Sequence, residues 1–119
     1  MARKRLLECS FLIPIRRDGN LSDGKRHDQA AWLWLSSQLY VFGGATRTRE
    51  LQEGWYEDPD TGERVTDLSH RYTVALPREE VPRLRALLAE SCRVFEQKCI
   101  YLSVAGYVEF VERASHESH

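Results

Sequence analysis

A chain of 119 residues in which 42% of the side chains are apolar and 29% charged can bury one core without metal or disulfide support, and this composition excludes both a disordered chain and a membrane-embedded one. The formal net charge of −1 is unevenly spread, nine Lys/Arg against four Asp/Glu in residues 1–49 and eight against fourteen in residues 50–119, but halves that interleave in a fold average such a split, so it selects no partner. Three cysteines, Cys9, Cys92 and Cys99, without a CxxC spacing exclude a disulfide framework and a zinc knuckle and fit reduced thiols.

Arg3-Lys4-Arg5 before Leu6-Leu7 starts like a secretory leader, yet Glu8 and Arg16-Arg17 interrupt the apolar run. Nothing approaches the roughly eighteen apolar residues of a membrane span. A cytoplasmic protein without membrane contact is expected. Leu7, Cys9, Phe11, Ile13 and Ile15 alternate with more polar neighbours and run into Arg16-Arg17-Asp18-Gly19-Asn20, a first strand followed by turn chemistry. After a loop over 18–27, Ser22 or Asp28 caps a helix that reaches Phe42 and stops at Gly43-Gly44. Ala31, Leu35, Leu39 and Phe42 form its stripe, but Trp32, Leu33, Trp34, Tyr40 and Val41 carry apolar character around the cylinder, more than one sheet face covers.

Residues 46–56 make a weak second strand whose Arg47, Arg49, Glu50 and Glu53 are the charges an edge strand uses against aggregation. Glu57-Asp58-Pro59-Asp60-Thr61-Gly62 turns the chain, and residues 71–76 return as a central strand alternating Tyr72, Val74 and Leu76 with Arg71, Thr73 and Ala75. Pro77 closes it. Arg78-Glu79-Glu80 opens a second helix, with Pro82 tolerated in the first turn and Val81, Leu84, Leu88, Cys92 and Phe95 in one stripe, so Cys92 is read as a core thiol. A fourth strand over 99–111 bends at Gly106. The domain is taken as 1–112, with a flexible tail over 113–119.

Strand, helix, strand, strand, helix, strand over residues 6–111 resembles the ferredoxin-like fold. That resemblance implies an α+β two-layer sandwich: a four-stranded antiparallel sheet in the order 4-1-3-2, strand two at an edge, and both helices on one face. The words Phe42-Gly43-Gly44, Gly54-Trp55 to Asp58, Phe95-Glu96-Gln97 and Val108-Glu109-Phe110-Val111 are also similar to those of a bacterial family of small proteins of unknown function, a likeness that implies no activity.

The exposed sheet face would carry Glu8, Ser10 and Leu12, then Arg71, Thr73 and Ala75, then Tyr101, Ser103, Ala105 and Tyr107. Its central positions lack the aromatics on which an RNA-recognition sheet stacks bases. Asp67, Ser69 and His70 contain the residue types of a triad, but sequence neighbours point apart, so His70 reads as a strand-start residue. Asp18 alone is too little for Mg²⁺, Asp58-Asp60-Gly62 breaks off before a calcium loop is complete, and His116 and His119 make no structural metal site. Arg16, Arg17, Lys25 and Arg26 bracket one loop and are the best anion-binding candidates.

The leading expectation is therefore a non-catalytic interaction or accessory module, without catalytic residues, cofactor or metal. It would be a homodimer or bound to a protein partner, anchored by Trp32, Trp34 and Tyr40. Two alternatives stand beside it. One is a dimeric α+β barrel-type small-molecule enzyme or ligand sensor with His70, Arg71, Tyr101 and Tyr107 around a cavity; the other is a nucleic-acid binder using the 16–27 loop.

Overall fold

In the computed structural model, which describes residues 5–114, alternation decides the faces of the sheet. Along β1 (Leu7–Pro14) the side chains of Cys9, Phe11 and Ile13 are fully buried while Glu8, Ser10, Leu12 and Pro14 face the other way. β4 (Arg64–Leu76) pairs antiparallel with β1, Phe11 opposite Tyr72 and Cys9 opposite Val74. The Phe11 and Tyr72 rings stack at 5.3 Å. Ile100 and Leu102 of β5 (Cys99–Val104) complete the buried side of the sheet.

Both helices cover that side. α1 (Gln29–Leu39) contributes Leu35 and Leu39 and ends in a 3₁₀ turn at Tyr40–Phe42, released by Gly43 in the left-handed region at φ 86°, a conformation that favours glycine. α2 (Val81–Val94) lays down Val81, Leu84, Leu88 and Cys92, with Phe95 after it, and Pro82 sits in its first turn. Burial pushes the Cys92 thiol up to about 12, so this cysteine is a core side chain.

The sheet has six strands in the order β2-β4-β1-β5-β6, with β3 also on β4, two more than the four expected. The second expected strand is two pieces, β2 (Thr46–Arg47) and β3 (Gln52–Glu57), lying one after the other along the same edge of β4. The fourth is a hairpin, because Ala105 (φ 49°) and Gly106 (φ 90°) reverse the chain between Val104 and Tyr107 into β6 (Tyr107–Glu112). Two successive positive φ values are the two-residue turn that matches strand twist. Arg85 of α2 holds this added edge through a bidentate pair with Glu109, 2.7 and 3.0 Å. β4 also starts earlier than expected, at Arg64, so residues 64–70 form an arm with β3.

No helix among the described residues is long and apolar enough to cross a membrane. Of the expected tail, Arg113 and Ala114 hydrogen-bond back to the domain, to the carbonyls of Lys98 (3.3 Å) and Ala89 (3.2 Å); His116 and His119 lie outside the described residues.

Candidate active site

The tip of the β3–β4 arm is tied to the β1–α1 loop and to the start of β5 by one buried carboxylate. Asp58, 1% exposed, accepts hydrogen bonds from the backbone N–H groups of Asp60 (2.8 Å) and Thr61 (3.1 Å) and from Asn20 Nδ2 (2.7 Å). Lys98 Nζ, at the start of β5, lies 3.3 Å from the same carboxylate and 2.6 Å from that of Asp60. These donors hold the Asp58 carboxyl below the usual carboxylate range, the backbone N–H of Asp60 most strongly. The turn thus clamps the hairpin tip to the β1–α1 loop and to β5.

What the clamp encloses is a cleft of about 550 Å³ on the helix-free side of the sheet. Leu12, Pro14 and Ser69 form its floor and Gln52, Gly54 and Tyr56 the arm side; Asp18, Asp67, Arg71, Lys98, Tyr101 and Phe110 are among its other lining residues. Register explains the arm: Gln52 stands opposite Ser69 and Gly54 opposite Asp67, so their side-chain positions share the face of Arg71. Gly54 leaves that wall open, since a Cβ there would meet nothing within 4 Å.

Asp67 is the unusual acid. Burial, and then the charge of Asp18, raises its carboxyl above the ordinary aspartate value. Tyr56 is raised too, by burial first and then by the carboxylates of Asp67, Asp18 and Asp58. At the other end Arg71 is held by neutral partners: Nε donates to Gln52 Oε1 (2.9 Å), Nη1 donates to Ser10 Oγ (2.9 Å), and the guanidinium lies 5.8 Å from the Tyr101 ring centre. Tyr101 meets Phe110 edge to face at 6.0 Å. One cleft thus holds an acidic end, a cationic end and an aromatic side.

Of the residues expected on the open face, Arg71 and Tyr101 are brought together here. Tyr107 is 82% exposed beside a separate recess near Leu7 and Val81. His70 is on the helix side, its ring 5.3 Å from that of Trp32. Trp32 also meets His27 at 5.6 Å and Phe95 at 4.9 Å, so it is spent on internal packing. Trp34 is partly buried against the core, whereas Tyr40 is exposed. In the basic loop, Arg17 is ion-paired with Glu96 (2.8 Å), Asp23 and Asp28 (both 3.5 Å); Arg16, Lys25 and Arg26 are exposed. No group of three or more His, Cys, Asp or Glu among the described residues is placed to hold a metal ion.

Sequence reasoning passed over Tyr56, Gln52 and Phe110 as site residues and considered Asp67 only as a triad member. The signal that could have found them was the β4 register, in which Asp67, Ser69 and Arg71 share one face.

No protein-family model and no curated protein matches the chain. Two solved structures share its fold. A phage SAM lyase in complex with S-methyl-5'-thioadenosine matches with a TM-score of 0.71 and 14% identity over 98% of this chain and 97% of that one. A phage SAM lyase in the apo state matches with a TM-score of 0.64 and 17% identity over 98% of each. At this identity the likeness is one of fold. Both neighbours are enzymes, which overturns the leading expectation of a non-catalytic accessory module and favours the small-molecule enzyme alternative.

Proposed function

We propose that this chain is an enzyme that binds S-adenosylmethionine (SAM), or a sulfonium nucleoside like it, in the open-face cleft and breaks a carbon–sulfur bond. The observation that carries the reading is the cleft itself: about 550 Å³, within the roughly 300–1,000 Å³ of small-ligand sites, lined by aromatic rings, a half-buried acid and a cation. The shared fold supports the choice of ligand, because one neighbour is described as a SAM lyase holding S-methyl-5'-thioadenosine.

The chemistry follows from the two molecules. The sulfur of S-methyl-5'-thioadenosine keeps its methyl and adenosyl groups, so the bond to cleave in SAM is the one to the γ-carbon of the amino-acid chain. Its electron pair stays on sulfur, which becomes a neutral thioether. The γ-carbon is taken by an oxygen of the substrate's own carboxylate, closing a five-membered lactone; no water enters and no proton moves. A β C–H bond is the other source of electrons, but it is too weakly acidic for a carboxylate base, whereas an oriented intramolecular nucleophile has a large effective concentration.

This reaction annihilates a positive and a negative charge. It therefore gains from a water-poor site and from binding groups that do not favour the sulfonium itself. Asp67 fits that need as the holder of the α-ammonium, which keeps its charge throughout. A carboxylate whose ionised form is disfavoured by burial gains most from a cation brought beside it. Tyr101 and Phe110 offer ring faces and edges to the adenine.

The test is incubation of the purified protein with SAM, with S-methyl-5'-thioadenosine followed by chromatography. Formation of that thioether is expected, with kcat/KM lowered about 10- to 100-fold in Asp67→Asn by loss of a charge-assisted hydrogen bond. Intact SAM after prolonged incubation with folded protein refutes the reading.

A further inference from the structure

Arg71 is a half-buried guanidinium whose two hydrogen-bonded partners, Gln52 Oε1 and Ser10 Oγ, are both neutral. Among the described residues no carboxylate pairs with it. A cation taken partly out of water and left uncompensated is costly, while its bonds and the Tyr101 ring beneath it lock the planar fork in place. Such a group is preorganised for an anion, and a carboxylate matches its geometry better than any other small anionic group of an amino acid.

Position adds a second argument. Asp67 and Arg71 lie on the same face of β4, four residues apart, so their Cα atoms are separated by about 13 Å of strand. Charges of opposite sign thus stand at the two ends of one cleft without pairing with each other. Both side chains line that cleft, and a ligand with an ammonium and a carboxylate offers each of them a counter-charge.

Resting on the reading of the cleft as a sulfonium-nucleoside site, we infer that Arg71 is the specificity-determining residue for the substrate's α-carboxylate. It donates to the oxygen that becomes the lactone carbonyl and leaves the other oxygen free to close on the γ-carbon; because this bond weakens as the carboxylate loses its charge, it selects and orients the group and does not raise its reactivity. Arg71 is a positioning residue. It selects nucleosides that bear an amino-acid chain over those that bear only an amine or a methyl group.

The test uses two thioethers that this route does not cleave, S-adenosylhomocysteine and its decarboxylated counterpart, titrated calorimetrically into wild type, Arg71→Met and Arg71→Lys. Wild type is expected to prefer the carboxylate-bearing ligand by about tenfold or more. Arg71→Met is expected to lose that preference while binding the decarboxylated ligand as wild type does, and Arg71→Lys to keep part of it. Equal affinity of wild type for the two ligands, or a preference that survives in Arg71→Met, overturns the role of Arg71 and leaves the cleft reading standing. Binding of neither ligand by wild type overturns both. If Arg71→Met fails to fold, the preference in wild type and its reduction in Arg71→Lys decide the matter.

Discussion

Gly54→Phe separates stability from function at a single position. Gly54 has no left-handed φ among the glycines that do, and open space lies beyond its Cβ direction, so a side chain fits without moving backbone. In a strand, glycine is worse than ordinary residues by about 0.5–1 kcal/mol, and aromatics are favoured. The variant is therefore expected to be more stable by roughly that amount, a rise of about 2–5 °C in Tm for a domain of this size. The same substitution adds seven heavy atoms to the wall of the 550 Å³ cleft, placed directly across from Asp67. Thermal unfolding and SAM cleavage measured on the same sample are the assay. Higher Tm with cleavage lowered at least tenfold is expected; undiminished turnover in the stabilised variant refutes the placement of the site.

Three further outcomes follow from the same packing. Asp67→Asn removes an acid whose folded pKa lies above its unfolded value; the wild type loses stability as pH rises from about 3.8 through that raised pKa, so the variant is expected to melt higher at pH 7, by scanning calorimetry, even as activity falls. His27 and His70 are both depressed, chiefly by burial, so the unfolded chain binds protons first and stability falls as pH drops below about 6.5. His70→Phe removes one of these groups and a buried Nδ1 without a partner; it is expected to flatten the Tm profile between pH 7 and 5 and to stabilise by about 1 kcal/mol. Leu88→Ala empties a fully buried position and is expected to cost about 3 kcal/mol in urea unfolding.

The faces of β1, β4 and β5 were legible because alternation is strongest where one side of a sheet is dry. Residues 64–70 were not, because the arm stands off the core and Thr66, Asp67 and Ser69 alternate with nothing consistently apolar. The β5–β6 hairpin carried its sign in Ala105-Gly106, but an alanine at positive φ is rare, and the apolar run on both sides read as one bent strand. The helix that looked apolar all round does expose Leu33, Tyr40 and Val41, but one of its expected anchors is turned inward. Trp32 finds its partners His27, His70 and Phe95 on three other segments, and no local pattern shows that.

The cleft was the least legible feature. Its arm wall is tied down where Asp58 and Lys98, forty residues apart in sequence, meet. The turn residues and the lysine are visible in the sequence, but their meeting is a product of strand length and twist. Arg71 and Tyr101 could be assigned to a face, while Tyr56, Asp67 and Phe110 joined them only once the arm had a register.

A titration of the isotope-labelled protein with S-methyl-5'-thioadenosine, followed through backbone amide shifts, tests the central claim most directly. Saturable shifts confined to Gln52–Tyr56, Asp67–Arg71 and the Tyr101–Phe110 pair are the expected result. Shifts centred on the exposed side of α1 or on the 16–27 loop, or none at all, contradict the assignment of the cleft.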